Sequence, residues 1–96
     1  PLVPILTFKN FDEVIARANN NELGLASYLY TNDMKKANRA SELMESGTVA
    51  VNTPVVALAE APFGGIKQTG YGREGGSMAI KDYLNIKYTH MGVSYD

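Results

Sequence analysis

The sequence of 96 residues contains no cysteine and only one histidine. Without cysteine, the chain cannot form a disulfide, ligate a metal through a thiolate or supply a cysteine nucleophile. A single imidazole gives no zinc site, and we predict no metal in this chain.

The chain also has no large excess of positive or negative charge, because nine Lys and Arg residues against ten Asp and Glu residues give a formal net charge of −1. That balance provides no field that would attract nucleic acid or anionic lipid, so neither is a predicted partner.

Long apolar runs are missing as well. The longest fall well short of the roughly 20 residues that a helix needs to cross a bilayer, so we predict a soluble, cytoplasmic protein without a membrane partner. Hydrophobic residues make up 45% of the chain and charged residues 20%, as in ordinary globular proteins. The length fits at most one small domain.

The first half of the sequence alternates apolar runs with helix patterns. Residues 2–8, 25–30 and 48–52 are short, almost continuous apolar runs, which are typical of strands covered on both faces. Between the first two runs, Asn10 and Glu13 have the spacing of a helix capping box. The apolar stripe of this predicted helix consists of residues at helical spacing, namely Phe11, Val14, Ile15 and Ala18.

A second helix is predicted between the second and third apolar runs. We expect Thr31 or Asn32 to cap it, Asp33 to lie in its first turn and Gly47 to end it in the left-handed conformation. The order strand, helix, strand, helix, strand predicts an α/β fold, a doubly wound piece with a parallel sheet. Because the sequence begins directly with the apolar run over residues 2–8, whose pattern predicts a buried strand, we expect the chain to be a piece of a longer protein.

A long connection rich in glycine occupies residues 53–76. Six of the nine glycines in the chain lie between Gly64 and Gly76, and connections of this length are usually functional. A short helix is predicted over residues 77–82. Apolar and polar residues then alternate over residues 84–90, which predicts a half-buried strand whose partner is another edge, for example in another subunit.

Three motifs suggest chemistry, and each has a simpler explanation. Residues 70–75 match G-x-G-x-x-G, but a dinucleotide site of this kind directly follows a buried strand and opens a helix, so a glycine turn is favoured. Residues 64–69 lack the order of Gly, Lys and Ser or Thr that a phosphate-binding loop requires. His90 has no acidic or nucleophilic partner at useful spacing and is interpreted as a strand-face residue. The residues taken alone give no complete catalytic site.

Residues 61–76, which read APFGGIKQTGYGREGG, closely resemble the P-F-G-G-x-K-x-S-G-x-G-R-E-x-G run of the aldehyde dehydrogenase superfamily. Within this motif Thr69 replaces the usual serine and keeps the hydroxyl group. Three further segments resemble the family in the same order along the chain, namely Pro1–Ile5, Glu22–Ala26 and Tyr83–Tyr88. Two stretches, Glu60–Gln68 and Asp82–Leu84, are most similar to the succinate-semialdehyde dehydrogenase branch.

The resemblance implies an enzyme that oxidises an aldehyde, such as succinate semialdehyde, to a carboxylic acid with NAD or NADP. In this family a cysteine thiolate attacks the aldehyde, an oxyanion hole stabilises the intermediate, hydride passes to the nicotinamide and a glutamate activates water. Those residues and the cofactor domain lie upstream of the segment that this chain resembles. We therefore predict no catalytic residue and no cofactor-binding residue here, and no cofactor bound by this chain alone. We also predict no activity without the missing N-terminal part of the same enzyme.

By the same resemblance, residues 1–76 form the C-terminal part of the catalytic domain. Residues 77–96 form a short helix and the oligomerisation strand of a homo-oligomer. The pocket loop, residues 53–63, is expected to form a wall of the aldehyde tunnel, with Ala57 and Phe63 as substrate-pocket residues. Ala57 stands where succinate-semialdehyde enzymes carry a serine that helps to bind the distal carboxylate.

The glycine-rich loop, residues 64–76, is expected to turn the backbone beneath the pocket and to anchor it to the closing strand. Arg73 is the predicted anchor. Many family members place a glutamate where this chain has Asn85, so the link has no second charge here. The residues predicted for this structural and oligomer-anchoring role are Gly64, Gly65, Lys67, Gly70, Gly72, Arg73 and Asn85.

The sequence leaves a second class of function open. The chain would then be a truncated, non-catalytic module that pairs with a partner through its tail strand. The buried type of strand at the start of the sequence favours the enzyme fragment.

Overall fold

The computed structural model describes residues 1–94. Within this range, two α-helices and four short strands are joined by loops, and a 3-10 helix follows the last strand. In chain order the elements are α1 Phe11–Asn19, β1 Leu23–Gly24, β2 Ala26–Leu29, α2 Met34–Leu43, β3 Thr48–Val51, β4 Ile66–Lys67 and the 3-10 helix Ala79–Tyr83. The predicted α/β class is confirmed.

Helix α1 begins where the capping box predicts. The Oδ1 atom of Asn10 accepts a hydrogen bond from the backbone N–H of Glu13 at 2.9 Å, which satisfies a donor that the first turn leaves without a helical partner. At the other end, the Asn19 side chain accepts from the N–H of Glu45 at 2.9 Å and donates to the carbonyl of Leu43 at 2.8 Å. Asn19 therefore ties the end of α1 to the end of α2.

Helix α2 is capped by Asp33, so the predicted cap at Thr31 or Asn32 is wrong. The Oδ1 atom of Asp33 accepts hydrogen bonds from the N–H groups of Lys35 at 3.0 Å and Lys36 at 3.2 Å. The Oγ1 atom of Thr31 instead accepts a hydrogen bond from the backbone N–H of Asp33 at 3.1 Å, and its backbone N–H and carbonyl bond to the side chain of Asn52.

The segment after α2 also differs from expectation. The helix ends at Leu43, and Gly47 does not adopt the left-handed conformation predicted for it. A side chain is excluded there for another reason, since a Cβ atom on Gly47 would overlap the carbonyl oxygen of Gly64. Glycine is required because two backbones are in contact at this point.

The strands form two separate pairs. β2 and β3 are parallel, beginning with Ala26 opposite Thr48, and α2 connects them. β1 and β4 are antiparallel, with Gly24 opposite Ile66. β2, α2 and β3 therefore make one βαβ unit, as the alternation of sequence patterns predicts.

Two predicted strands are not found in the described part of the chain. Residues 2–8 and residues 84–90 contain no strand, so the full parallel βαβαβ arrangement and the terminal oligomerisation strand are not formed. A strand is held by hydrogen bonds to a neighbouring strand, and neither segment has such a neighbour within residues 1–94. The short helix predicted over residues 77–82 is present as the 3-10 helix.

Within residues 1–94 most large apolar side chains are exposed. The buried apolar residues in this part of the chain are three alanines, Ala37, Ala40 and Ala50. The accessible surface is 8360 Å², whereas a compact chain of this mass would expose about 5400 Å². The radius of gyration is 19.7 Å, against about 12–13 Å for a compact chain of this length. None of the helices just described is long and apolar enough to cross a membrane.

Candidate functional site

Both predicted pocket residues line one hollow beside the pocket loop. This loop hollow has a volume of about 240 Å³ and is shallow. Its lining residues are Ala57, Leu58, Ala59, Phe63, Glu74 and Gly75. The pocket loop contributes the apolar part of the lining, and the glycine-rich loop contributes Glu74 and Gly75. The hollow can therefore accommodate a short carbon chain.

The pairing of Phe63 with Glu74 positions this hollow. Their backbones form an antiparallel bridge in which each N–H donates to the carbonyl of the other at 2.7 Å. The N–H of Gly76 also donates to the carbonyl of Ala59 at 2.8 Å. The glycine-rich loop thus holds the second half of the pocket loop through backbone hydrogen bonds.

Gly75 and Gly76 permit this close approach. Both are left-handed, with φ of 68° and 64°. A Cβ atom on Gly75 would lie 2.7 Å from the carbonyl oxygen of Ala61, and one on Gly76 would lie 3.0 Å from the nitrogen of Pro62. Any larger residue would strain the backbone and collide with the pocket loop.

A second hollow of about 280 Å³ shares Phe63 and Glu74 with the first. Most of the residues predicted for the structural role line it, namely Gly64, Gly65, Gly70, Gly72 and Arg73. Gly70 and Gly72 have φ of 109° and 93°, so the turn between them favours glycine.

Arg73 is bonded within the glycine-rich loop itself. Its Nη1 atom donates to the carbonyls of Gly65 at 2.9 Å and Gly72 at 2.8 Å, and its backbone N–H donates to Oδ2 of Asp82 at 2.9 Å. Its connection to the chain end therefore runs through the 3-10 helix that contains Asp82. Among the described residues no hydrogen bond joins Arg73 to Asn85, and that link stays a prediction.

Thr69 and Lys67 hold the start of the glycine-rich loop against the first half of the chain. The Oγ1 atom of Thr69 accepts a hydrogen bond from the N–H of Gly24 at 2.9 Å, so the hydroxyl that replaces the usual serine is used. Lys67 lines neither hollow. Its ammonium group instead reaches the end of α1 and the carboxylate of Glu45.

The glycine run over residues 70–75 lacks the geometry of a dinucleotide site. Such a site needs a buried strand before the glycines and an α-helix after them. The run follows the two-residue strand β4 and precedes a 3-10 helix, so we derive no cofactor contact from it. Within residues 1–94, no three His, Cys, Asp or Glu side chains cluster as a metal site requires.

Sequence reasoning missed three residues that shape the site. Glu74 and Gly75 line the loop hollow, and Asn52 fixes the start of the pocket loop through its side chain. The Gly75–Gly76 doublet carried a turn signal. Asn52 follows a strand, and asparagine tolerates the left-handed conformation that it adopts here, with φ of 56°.

Comparison with known proteins matches nearly the whole chain to one family. Residues 1–89 match the sequence model of the aldehyde dehydrogenase family. The chain is 51% identical over 92 residues to a 3-sulfolactaldehyde dehydrogenase of Pseudomonas putida, covering 96% of this chain and 19% of that protein. It is 47% identical over 93 residues to the NADP(+) succinate-semialdehyde dehydrogenase of Escherichia coli K12, covering 97% of this chain and 19% of that protein. The crystal structure of succinate-semialdehyde dehydrogenase from Burkholderia pseudomallei superposes with a TM-score of 0.82 at 45% identity, covering 85% of this chain and 17% of that one.

Proposed function

Because this chain belongs to the aldehyde dehydrogenase family, we propose that it is the C-terminal part of an NAD(P)-dependent enzyme that oxidises an aldehyde to a carboxylic acid. The chain spans about a fifth of the length of the relatives it matches. It has no cysteine, so the thiolate nucleophile belongs to the remaining four-fifths, together with the cofactor domain. The 96-residue chain by itself is therefore expected to be inactive.

The meeting of Ala57 and Phe63 in the loop hollow carries the proposal. The two residues are separated by the five residues 58–62 of the loop, yet they line the same shallow space. A concave, mainly apolar surface with one polar group is the usual form of a small-molecule site. In the proposed enzyme this surface is one wall of the substrate tunnel, and the missing part supplies the others.

The proposed substrate is an aldehyde with an anionic group at its far end, such as succinate semialdehyde. The relatives are named for 3-sulfolactaldehyde and succinate semialdehyde, and each compound has an anionic group distal to the aldehyde. The apolar lining of the loop hollow suits the carbon chain between these groups. No cationic side chain lines that hollow, so the group that binds the distal anion comes from the missing part.

The exposed apolar surface supports the proposal of a larger enzyme. Ile5 is 90% exposed near the start of the chain, and Ile86 is 89% exposed near its end. Burial of such side chains is a main source of folding free energy. We propose that residues 2–8 join the sheet of the missing part and that residues 84–90 pair with a second copy in a homo-oligomer.

The intact mass of the native gene product that contains this sequence is the first test. We expect a mass several times the 10.4 kDa of this chain. The purified product should then reduce NAD or NADP in the presence of succinate semialdehyde. A product of 10.4 kDa would contradict the enzyme and favour a non-catalytic module that pairs through its tail.

A further inference from the structure

The segment between β3 and β4, which includes the pocket loop, is flanked by two unusual residues. Asn52 and Lys67 have φ of 56° and 57°, and they are the non-glycine residues with positive φ in the described chain. L-residues rarely adopt this conformation, and lysine does so less readily than asparagine. Each must therefore be held by its surroundings, and in both cases the side chain makes hydrogen bonds in addition to those of the backbone.

The Asn52 side chain extends the pairing of β2 with β3 by one residue. Its Oδ1 atom accepts a hydrogen bond from the N–H of Thr31 at 2.8 Å, and its Nδ2 atom donates to the carbonyl of Thr31 at 2.8 Å. Its backbone N–H donates to the carbonyl of Leu29 at 2.7 Å. The side-chain amide of Asn52 makes the two hydrogen bonds to Thr31 that a backbone peptide group would make in a longer strand. The backbone can therefore turn away from the sheet at Asn52 while Thr31 stays hydrogen-bonded.

The Lys67 side chain fixes the other end of the segment. Its Nζ atom donates to the carbonyls of Asn19 at 2.9 Å and Asn21 at 3.1 Å, and it forms an ion pair with Oε2 of Glu45 at 2.5 Å. An ammonium group has three donors, and three acceptors surround this one. The Lys67 side chain is 25% exposed, against 63% for Lys36 on the surface of α2.

These contacts join both ends of the segment to the first half of the chain. Thr31 follows β2, Asn19 ends α1 and Glu45 lies between α2 and β3. The bridge between Phe63 and Glu74, in contrast, joins the pocket loop only to the glycine-rich loop. The loop hollow is therefore positioned relative to the βαβ unit through Asn52 at one end of the segment, and through Lys67 together with the pairing of β4 with β1 at the other.

We propose that Asn52 and Lys67 are positioning residues that determine which aldehydes the enzyme accepts. This inference rests on the proposed function and deepens it, because neither residue lines the loop hollow. They act through the two ends of the segment that bears Ala57 and Phe63. Loss of either set of contacts lets the hollow shift against the rest of the tunnel, and discrimination between aldehydes falls.

The test uses the full-length gene product with Asn52→Gly and Lys67→Met. Glycine keeps the left-handed backbone accessible and removes only the side-chain hydrogen bonds, and methionine keeps most of the length of lysine without its charge. Substrates are succinate semialdehyde and butanal, which have the same number of carbons. Each variant is expected to raise KM for succinate semialdehyde at least fivefold and to reduce its preference over butanal, with kcat within about twofold.

The matched controls are Asn38→Ala and Lys35→Met, both on the exposed surface of α2. We expect them to leave KM and the preference unchanged. If Asn52→Gly is unstable at the assay temperature, Asn52→Asp replaces it, because aspartate keeps the acceptor for the Thr31 N–H and lacks the donor for the Thr31 carbonyl.

Three results would overturn the inference. One is an unchanged preference between the two aldehydes in both variants. Another is an equal loss of kcat/KM for both aldehydes, which a merely structural role would give. An inactive unsubstituted enzyme would remove the proposed function and this inference with it, whereas unmoved variants of an active enzyme would remove the inference alone.

Discussion

Single residues determine whether the pocket loop and the glycine-rich loop can pack against the first half of the chain. Gly47 and Gly64 are in backbone contact, and a Cβ atom on Gly47 would overlap the Gly64 carbonyl. We expect Gly47→Ala to lower the free energy of unfolding by about 1–3 kcal/mol, because the added methyl group overpacks the contact. Thermal melting of the full-length gene product measures this. Gly92→Ala is the control, since a Cβ atom there has nothing within 4 Å, and equal shifts for the two variants would contradict the prediction.

Ala57 is the residue through which the proposed substrate class is tested. A serine at this position adds a hydroxyl group to the loop hollow, and a hydrogen bond to a charged group contributes about 1.5–3 kcal/mol. We expect Ala57→Ser in the full-length gene product to lower KM for succinate semialdehyde about tenfold or more, from that contribution. KM for butanal, which has no carboxylate, should stay the same. A parallel fall in both KM values would show that the hydroxyl does not contact the distal anion.

The residue scale is also where sequence reasoning reached its limit. Gly47 was predicted to be a required glycine, but for its φ and not for the contact with Gly64, because the partner in that contact lies far along the chain. The left-handed conformation of Lys67 has no signal in the sequence, since lysine has no intrinsic preference for it. Ala57 and Phe63 were predicted from the family resemblance, and the hollow that they share depends on the bridge from Phe63 to Glu74.

At the scale of elements, the N-terminus of α2 gives a direct test of the fold. Asp33 accepts from two backbone N–H groups of the first turn, and loss of such a cap costs about 1 kcal/mol. We therefore expect Asp33→Ala to lower the melting temperature of the full-length gene product. Asn32→Ala should have little effect, because no hydrogen bond of its side chain caps the helix. A larger loss of stability in Asn32→Ala than in Asp33→Ala would instead support a cap at Asn32, one of the two positions predicted from the sequence.

Elements that depend on local patterns were predictable, and those that depend on a distant neighbour were not. The capping box at Asn10 and the helix that follows it are as predicted, since both are specified within one or two turns. β2 and β3 were predicted from their own apolar runs, and the helix pattern between them predicted that they pair in parallel, as they do. Residues 2–8 and 84–90 have equally clear strand patterns, but a strand forms only when another edge is available. The short antiparallel pair of β1 and β4 was missed, because Gly24 and Ile66 are brought together only after the loops fold.

At the scale of the whole molecule, the predicted link between Arg73 and position 85 can be tested in the assembled enzyme. Its Nη1 atom is used by two carbonyls, and its Nε and Nη2 atoms donate no hydrogen bond within residues 1–94. We expect Asn85→Glu to raise the melting temperature of the intact oligomer, because a carboxylate near this guanidinium would form a charge-assisted hydrogen bond. Asn85→Gln is the uncharged control. A melting temperature that is unchanged or lowered in the glutamate variant would argue against the link.

The fixed ends of the segment between Asn52 and Lys67 have an evolutionary consequence. When both ends of a loop are held by the scaffold, insertions and deletions between them add little closure entropy and do not disturb the fold. Substitutions such as that at Ala57 then alter the hollow without changing the contacts that hold it. Lineages that keep the asparagine, the lysine and the contacts of Phe63 and Gly64 are therefore free to exchange the part of the loop before Phe63 as a cassette. Grafting a segment of different length between Asn52 and Phe63 is the corresponding route for engineering.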